Sequence, residues 1–375
     1  MRRLMFVVNV DWFFVSHRLP IAIQALAEGY EVHIACQMTD QRDALEKLGV
    51  ITHPLTMSRG GTGIYNSCID FFAIYKLLKR VQPNIVHLVT IKSVLLGGIA
   101  ARLAGIQGVV AAISGLGFVF MQKGGVGALR RKFVEITYRL VLGKSNLKVI
   151  FQNPDDCNLI CEFAQVPFDK VVMIRGSGVD LKTYKVEPPP EGVPVVMLAA
   201  RLLRHKGVFE FVETAKYLRT KGYAARFCLV GDTDLDNPSS VTEQELASFR
   251  KDAHVELWGH SSDMPSMLAV ATIVVLPSYR EGLPKVLIEA AACGRAVITT
   301  DVPGCRDAIE SEKTGLLVPA RDTEALSHAI AYLLDNQTVR LQMGNKGREL
   351  AEREYDVRQV IKRHIEIYQE LESNV

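Results

Sequence analysis

Short runs of β-branched and aliphatic residues alternate with longer stretches of helical periodicity along most of this chain, the pattern of βα units laid over a parallel sheet. In the first half LMFVVNV, EVHIACQ, IVHLVT, GVVAAIS and KVIFQN read as strands. Residues 17–28, 69–80 and 93–104 have helical spacing, the last closely packed with Gly97, Gly98, Ala100 and Ala101. The pattern breaks at EPPPEGVP, residues 187–194, where three consecutive prolines and a glycine forbid a helix and disfavour a central strand. Alternation resumes with VPVVMLAAR, ARFCLVGD, VELWGH, ATIVVLPS and RAVITTD as strands, and residues 284–293 form the clearest helix among them. The expected architecture is α/β, two Rossmann-like domains facing each other across a cleft. An N-terminal domain covers 1–186, a linker 187–194 and a C-terminal domain 195–356; a helical segment over 357–375 packs on either domain, including a return onto the N-terminal one.

Composition narrows the class. The 375 residues exceed what one hydrophobic core usually organises, and 48% apolar with 23% charged residues is ordinary globular usage. No apolar run reaches the roughly 18 to 20 residues needed to cross a bilayer; VVAAISGLGFVFM at 109–121 is too short and carries glycines. The opening MRRLMFVVNVDW reads as a first strand and not as a signal peptide, since its apolar stretch meets Asp11 without a small-residue cleavage site. Seven cysteines, odd in number and scattered, argue against structural disulfides and for a reducing cytoplasm. Cys157 and Cys161 lie at helical spacing with no second pair to complete a zinc site.

Charge is uneven. Residues 1–184 hold 21 Lys and Arg against 13 Asp and Glu, a balance of +8, and the remainder 23 against 28, a balance of −5. The densest basic patch is 123–148, with seven cations opposed only by Glu135 and with Leu129, Phe133, Ile136 and Leu140 at helical spacing. It reads either as a membrane-surface helix meeting anionic lipid or as the solvated face of a core helix. Nucleic acid is disfavoured as a partner because the patch lacks interleaved aromatics.

Three places following strands carry candidate chemistry, since ligands of open α/β sheets bind beyond the strands' carboxyl ends. In LAARLLRHKG, Arg201 and Lys206 are two cations able to hold a diphosphate and neutralise the charge of its departure, or else two solvated charges. In SYREGLPKVLIEAAACG, Glu281 and Glu289 are eight residues apart, about 12 Å on a helix, too far for one acid–base pair. They suit different parts of one long ligand: Glu281 before the helix beside Gly282, Leu283 and Pro284, and Glu289 deeper, able to accept two ribose hydroxyls. VDWFFVSHRLP at 10–20 puts bulky aromatics where dinucleotide binders have a glycine-rich turn, which disfavours a nicotinamide dehydrogenase. His17 there either contacts ligand or caps a helix start. The overlapping Asp-x-Asp triplets of GDTDLDN at 231–237 offer a manganese site or, more simply, a polar turn.

Taken in order, LAARLLRHKG, WGHSSDM, SYREGLPKVLIEAAACGRAVITTDVPG and EKTGLLVPARD resemble the family 4 glycosyltransferases over nearly the whole chain. GSGVDLKTY at 176–184, VHLVTIKSVLLGGIAARLAG and ISGLGFVF look like the subgroup that builds polysaccharide and lipid-linked oligosaccharide in bacteria. The resemblance implies the GT-B fold and a retaining transfer from a UDP-sugar without metal or cofactor. Arg201 and Lys206 match the family's basic pair on the donor diphosphate. Glu281 and Glu289 match its EX7E motif, the first beside the transferred sugar and the second on the ribose. The backbone of Gly259, His260 and Ser261 matches the uracil site, and Gly282, Leu283 and Pro284 the phosphate and sugar site. The chain lacks the glycine-rich loop that many members have after the first strand, and Ser16 and His17 are the substitutes for its phosphate contacts. The subgroup implies an N-acetylhexosamine moved to a lipid-linked saccharide, by a cytoplasmic protein peripheral on the inner face of the membrane. A UDP-N-acetylglucosamine 2-epimerase-like enzyme and a non-catalytic nucleotide-sugar binder are the rival expectations.

Overall fold

The computed structural model describes residues 2–57, 64–116, 125–188, 191–234, 237–252 and 254–374. The chain divides into two compact units, Met1–Ser177 with Arg358–Val375 and Gly178–Val357. In the first, β1 (Arg2–Val10) runs into α1 (Asp11–His17) and α2 (Leu19–Ala27), then β2 (Tyr30–Gln37), α3 (Arg42–Lys47), β3 (Ile51–Pro54) and α4 (Ile64–Val81). There follow β4 (Ile85–Val89), α5 (Ile91–Ala104), β5 (Gly108–Ile113), α6 (Gly125–Leu142), β6 (Leu147–Phe151), α7 (Pro154–Ala164) and β7 (Val171–Met173). The second unit holds β8 (Val195–Ala199), α8 (Val208–Thr220), β9 (Arg226–Val230), α9 (Glu243–Asp252), β10 (Glu256–Gly259), α10 (Met264–Val270), β11 (Ile273–Leu276) and α11 (Lys285–Ala292). It continues through β12 (Ala296–Thr300), β13 (Gly315–Val318), α12 (Thr323–Asp335) and α13 (Gln337–Leu350) before α14 (Val357–Ser373) returns the chain to the first unit.

Among the described residues the strands form two wholly parallel sheets, ordered β3-β2-β1-β4-β5-β6-β7 and β10-β9-β8-β11-β12-β13. Parallel strands covered by helices on both faces read as continuous apolar runs, and β4, β5, β8, β11 and β12 are buried at every position. Each order reverses direction beside its first strand, between β1 and β4 and between β8 and β11. Those two reversals are the topological switch points at which open α/β sheets take ligands.

The first sheet carries α4 to α7 on one face, through Ile74, Leu78, Val94, Ala101, Tyr138 and Ile160. Its other face carries α1 to α3 and α14, through Phe14, Ile21, Leu45, Ile367 and Leu371. Val360, His364, Ile367 and Leu371 place one buried stripe along α14, and the buried Tyr368 hydroxyl lies 2.7 Å from His87 Nδ1 on β4. The C-terminal helix is thus part of the first unit's core.

The units divide ahead of the proline-rich 187–194 segment, which lies wholly within Gly178–Val357. The reason is hydrogen bonding. Val179 N–H donates to Tyr355 O at 2.7 Å, Val357 N–H donates to Val179 O at 3.1 Å, and Arg348 Nη1 donates to Tyr184 O at 2.8 Å. Residues 178–184 are bound to the second unit before the prolines are reached, so the break in periodicity falls inside a unit and not between the two. Among the described residues no helix is long and apolar enough to cross a membrane. The seven cysteines are free thiols, with the Cys157 and Cys161 sulfurs 3.9 Å apart on one turn of α7.

Candidate functional site

The loops that leave β8, β9 and β10 are laced together at their carboxyl ends. Leu202 N–H donates to Asp232 O at 2.9 Å and Gly231 N–H to Gly259 O at 2.7 Å. A Cβ on Gly231 would stand 2.0 Å from Ala200 O, so the β9 loop crosses directly over the β8 end. In that lattice the half-exposed Arg201 donates through Nη1 to Asp234 Oδ2 at 2.6 Å. Asp234 is the middle acid of the Asp-x-Asp triplets, and its carboxylate faces a guanidinium; Asp236 lies outside the described residues.

After β8 the chain makes a 3-10 turn, Arg204–Lys206, closed by Gly207 at φ 76°. This position demands glycine twice, by its left-handed backbone and because a Cβ would meet Pro277 O at 2.2 Å. The close approach brings the turn against the loop after β11, where Tyr279 N–H donates to His205 O at 2.9 Å. Lys206 Nζ then reaches Glu281 Oε1 at 2.5 Å, both side chains being mostly buried at 16% and 13% exposure. The Ser278 hydroxyl donates to the same oxygen at 2.5 Å and lies 3.1 Å from His205 O. Arg201 and Lys206, five residues apart, therefore pair with carboxylates from opposite neighbours of β8, Asp234 from the β9 side and Glu281 from the β11 side.

Burial pushes the Glu281 carboxyl up, but the Lys206 charge and the hydrogen bonds from Lys206 and Ser278 outweigh it and hold the group below its ordinary value. Burial, and secondarily the Lys206 charge, push the His205 imidazole down to about 4. Its Nδ1 lies 3.0 Å from the Ser239 hydroxyl. Unfolded His205 takes its proton near the ordinary 6.5, whereas the folded group refuses it until about 4, so the unfolded chain binds more protons in that window. Stability of the second unit accordingly falls as pH drops from about 6.5 towards about 4. His205→Gln keeps a polar partner for Ser239 and removes the titration. Its denaturant midpoint should decline less between pH 7 and pH 5 than that of the parent, and equal declines would refute this origin.

Glu289 lies on α11 at 4% exposure. The Tyr184 hydroxyl donates to its Oε1 at 2.6 Å and Lys285 Nζ lies 3.1 Å from the same oxygen. Burial and then the Glu289 charge raise the Tyr184 phenol, which stays a donor. Gly282, Leu283 and Pro284 are buried, in the segment leading into α11. Gly259 ends β10 at φ 71°, followed by exposed His260 and by Ser261, whose hydroxyl accepts Asp263 N–H at 3.1 Å. The adjacent strands β10, β9, β8 and β11 present these loops at their carboxyl ends, where Arg201 pairs with Asp234 and Lys206 with Glu281.

Ser16 and His17 belong to the first unit, at the end of α1. His17 is not at a helix start: α1 begins straight after β1, where the buried Asp11 carboxylate accepts Trp12 N–H at 2.8 Å and Thr39 N–H at 2.6 Å. His17 closes that helix, with Nδ1 3.2 Å from Phe13 O and its ring stacked on Phe13 at 4.1 Å between centroids. Ser16 is exposed. At the same switch point Asn9 Oδ1 accepts from the Thr90 hydroxyl at 2.9 Å and the Ser93 hydroxyl at 3.2 Å. Thr90 sits at φ 78°, a conformation strained for a β-branched residue. Sequence reasoning does not reach Asp234 as a partner of Arg201, nor Ser278, Tyr184 or Thr90. Only Lys285, one helical turn before Glu289, is within reach of local spacing.

Two family models match this chain: "Glycosyl transferases group 1" over residues 181–350 and "Glycosyl transferase 4-like" over residues 3–153. The chain is 30% identical to the N,N'-diacetylbacillosaminyl-diphospho-undecaprenol alpha-1,3-N-acetylgalactosaminyltransferase of Campylobacter jejuni, over 96% of this chain and 99% of that protein. It is 27% identical to the UDP-Gal:alpha-D-GlcNAc-diphosphoundecaprenol alpha-1,3-galactosyltransferase of Escherichia coli, over 74% and 73% of the two chains. Its fold is similar to that of Anabaena Alr3699/HepE, solved in complex with UDP and glucose. The TM-score is 0.78 at 16% identity, covering 98% of this chain and 100% of that one.

Proposed function

This chain belongs to the group 1 glycosyl transferases and has the two Rossmann-like units of the GT-B fold, and from that premise we propose that it transfers a sugar from a UDP-sugar to a saccharide carried on undecaprenyl diphosphate. The observation that carries the donor half is the Lys206–Glu281 pair at the β8/β11 switch point, with Arg201 five residues away on the same strand end. Two cations where a parallel sheet presents its ligands suit a diphosphate and the charge that grows as UDP leaves. In this reading Arg201 exchanges Asp234 for phosphate, while Lys206 bridges phosphate and the Glu281 side. Glu281, kept ionised, lies by the transferred sugar with Gly282, Leu283 and Pro284. Glu289, steadied on Oε1 by Tyr184 and Lys285, accepts ribose hydroxyls on its other oxygen, and the backbone of Gly259, His260 and Ser261 holds uracil.

The transfer is retaining and needs no metal: the protein's cations stabilise UDP, and a departing phosphate oxygen takes the proton of the attacking hydroxyl. The acceptor reading is supported by the printed activities of two relatives, both acting on diphospho-undecaprenol saccharides, and an N-acetylhexosamine is the sugar proposed. The work would be done on the cytoplasmic side, peripheral to the membrane. A panel of UDP-sugars against polyprenyl-diphosphate-linked saccharides, read by released UDP and by product mass, tests this. One donor should yield an acceptor heavier by one sugar. A donor sugar interconverted in place, or bound without turnover, would refute it.

A further inference from the structure

The outward face of α4 is not explained by the fold. Its inner face fills the core with Ile74, Leu77 and Leu78. Its exposed positions are Tyr65, Asn66, Cys68, Ile69, Phe72, Lys76, Lys79 and Arg80, one stripe at helical spacing. The N-terminal half of that stripe carries the large apolar side chains, Tyr65 78% exposed, Ile69 43% and Phe72 57%, beside Asn66 and Cys68; the C-terminal half is cationic. The helix has a single acid, Asp70, which is buried and bound to Lys92 on α5 at 2.7 Å, so no carboxylate of α4 answers the three cations on the outer stripe. On the same sheet face α6 exposes Ile136 and Leu140 beside Lys132 and Arg139. Large apolar side chains in a row on a surface helix mark an interaction site, and apolar residues joined to cations without acids match the acyl and phosphate levels of an anionic bilayer.

We infer that α4 is a membrane-docking helix: Tyr65, Ile69 and Phe72 enter the headgroup boundary of an anionic bilayer while Lys76, Lys79 and Arg80 meet lipid phosphates. This moves the main lipid contact from 123–148, where many side chains lie outside the described residues, to α4, with α6 flanking it. The inference deepens the acceptor reading and rests on it, because docking brings the protein to a carrier that cannot leave the membrane.

The test is co-sedimentation of the full chain with vesicles of phosphatidylcholine alone or with one-third phosphatidylglycerol. The parent should bind the anionic vesicles roughly tenfold more tightly than the neutral ones. Tyr65→Ser/Ile69→Ser/Phe72→Ser should weaken that binding at least about tenfold with the melting temperature kept. Lys76→Glu/Lys79→Glu/Arg80→Glu should remove the anionic preference, and Phe168→Ser, at an exposed aromatic outside the stripe, should change nothing. Unchanged binding of both triple variants, or no vesicle binding by the parent, overturns the inference. So does a parent dimer in sedimentation velocity that the apolar triple variant breaks, which would assign the face to a second copy. Activity separates this from the acceptor reading. The apolar variant should lose transfer to a vesicle-embedded acceptor but keep it with a short-chain acceptor in solution. If the parent transfers to neither, the acceptor reading has failed whatever the vesicles show.

Discussion

Lys206→Ala should lower kcat by about a hundred- to a thousandfold, the usual cost of removing one fixed donor from the charge that develops in a transition state. The same substitution deprives the mostly buried Glu281 carboxylate of its charged partner while the Ser278 hydroxyl bond stays, so burial raises that group and the fold weakens too. Breaking a fully buried pair costs about 3 to 5 kcal/mol, and at 16% and 13% exposure the loss here should fall at or below the lower end. A double variant separates the two effects. Lys206→Met with Glu281→Gln removes both charges, so thermal stability should largely recover while kcat stays low. Recovery of activity along with stability would mean that the pair is structural and that the cation touches no phosphate.

Glu289→Gln should act mainly on donor affinity. Hydrogen bonds to a charged group contribute about 1.5 to 3 kcal/mol each, so loss of the carboxylate should raise the KM for UDP-sugar by roughly ten- to a hundredfold with a smaller change in kcat. The carboxylate is 4% exposed and held by Tyr184 and Lys285, and glutamine keeps its shape and its bond from Tyr184. A drop in kcat with KM unchanged would place Glu289 at the reacting centre and displace the ribose assignment.

The motifs are legible in the sequence because each is local. LAARLLRHKG and SYREGLPKVLIEAAACG each join a buried strand end to a turn and a helix, and such a junction is written in consecutive residues. Their pairing is not legible. Lys206 and Glu281 are 75 residues apart and meet only because β11 lies beside β8 in the sheet order. Asp234 reads as a turn or metal residue because its partner Arg201 sits 33 positions away. The edge strand β3 and the three-residue β7 are too short to show alternation. VDWFFVSHRLP does not announce α1 in its composition, and the buried Asp11 carboxylate that opens the helix finds two of its partners, the N–H groups of Thr39 and Gln41, far along the chain after β2. Periodicity starts the α4 helix too late, at 69, because Tyr65 and Ile69 face outward, against the core-facing pattern that defines a helix in sequence. The apolar residues that the fold does not need are thus also the ones that hide the helix's first turn.

The claim that this protein is a retaining, metal-independent transferase for a lipid-linked saccharide is tested most directly by proton NMR of the product formed with EDTA present. The product should carry one added sugar whose anomeric configuration matches that of the UDP-sugar donor. An inverted linkage, or no product until a divalent metal is restored, would contradict it.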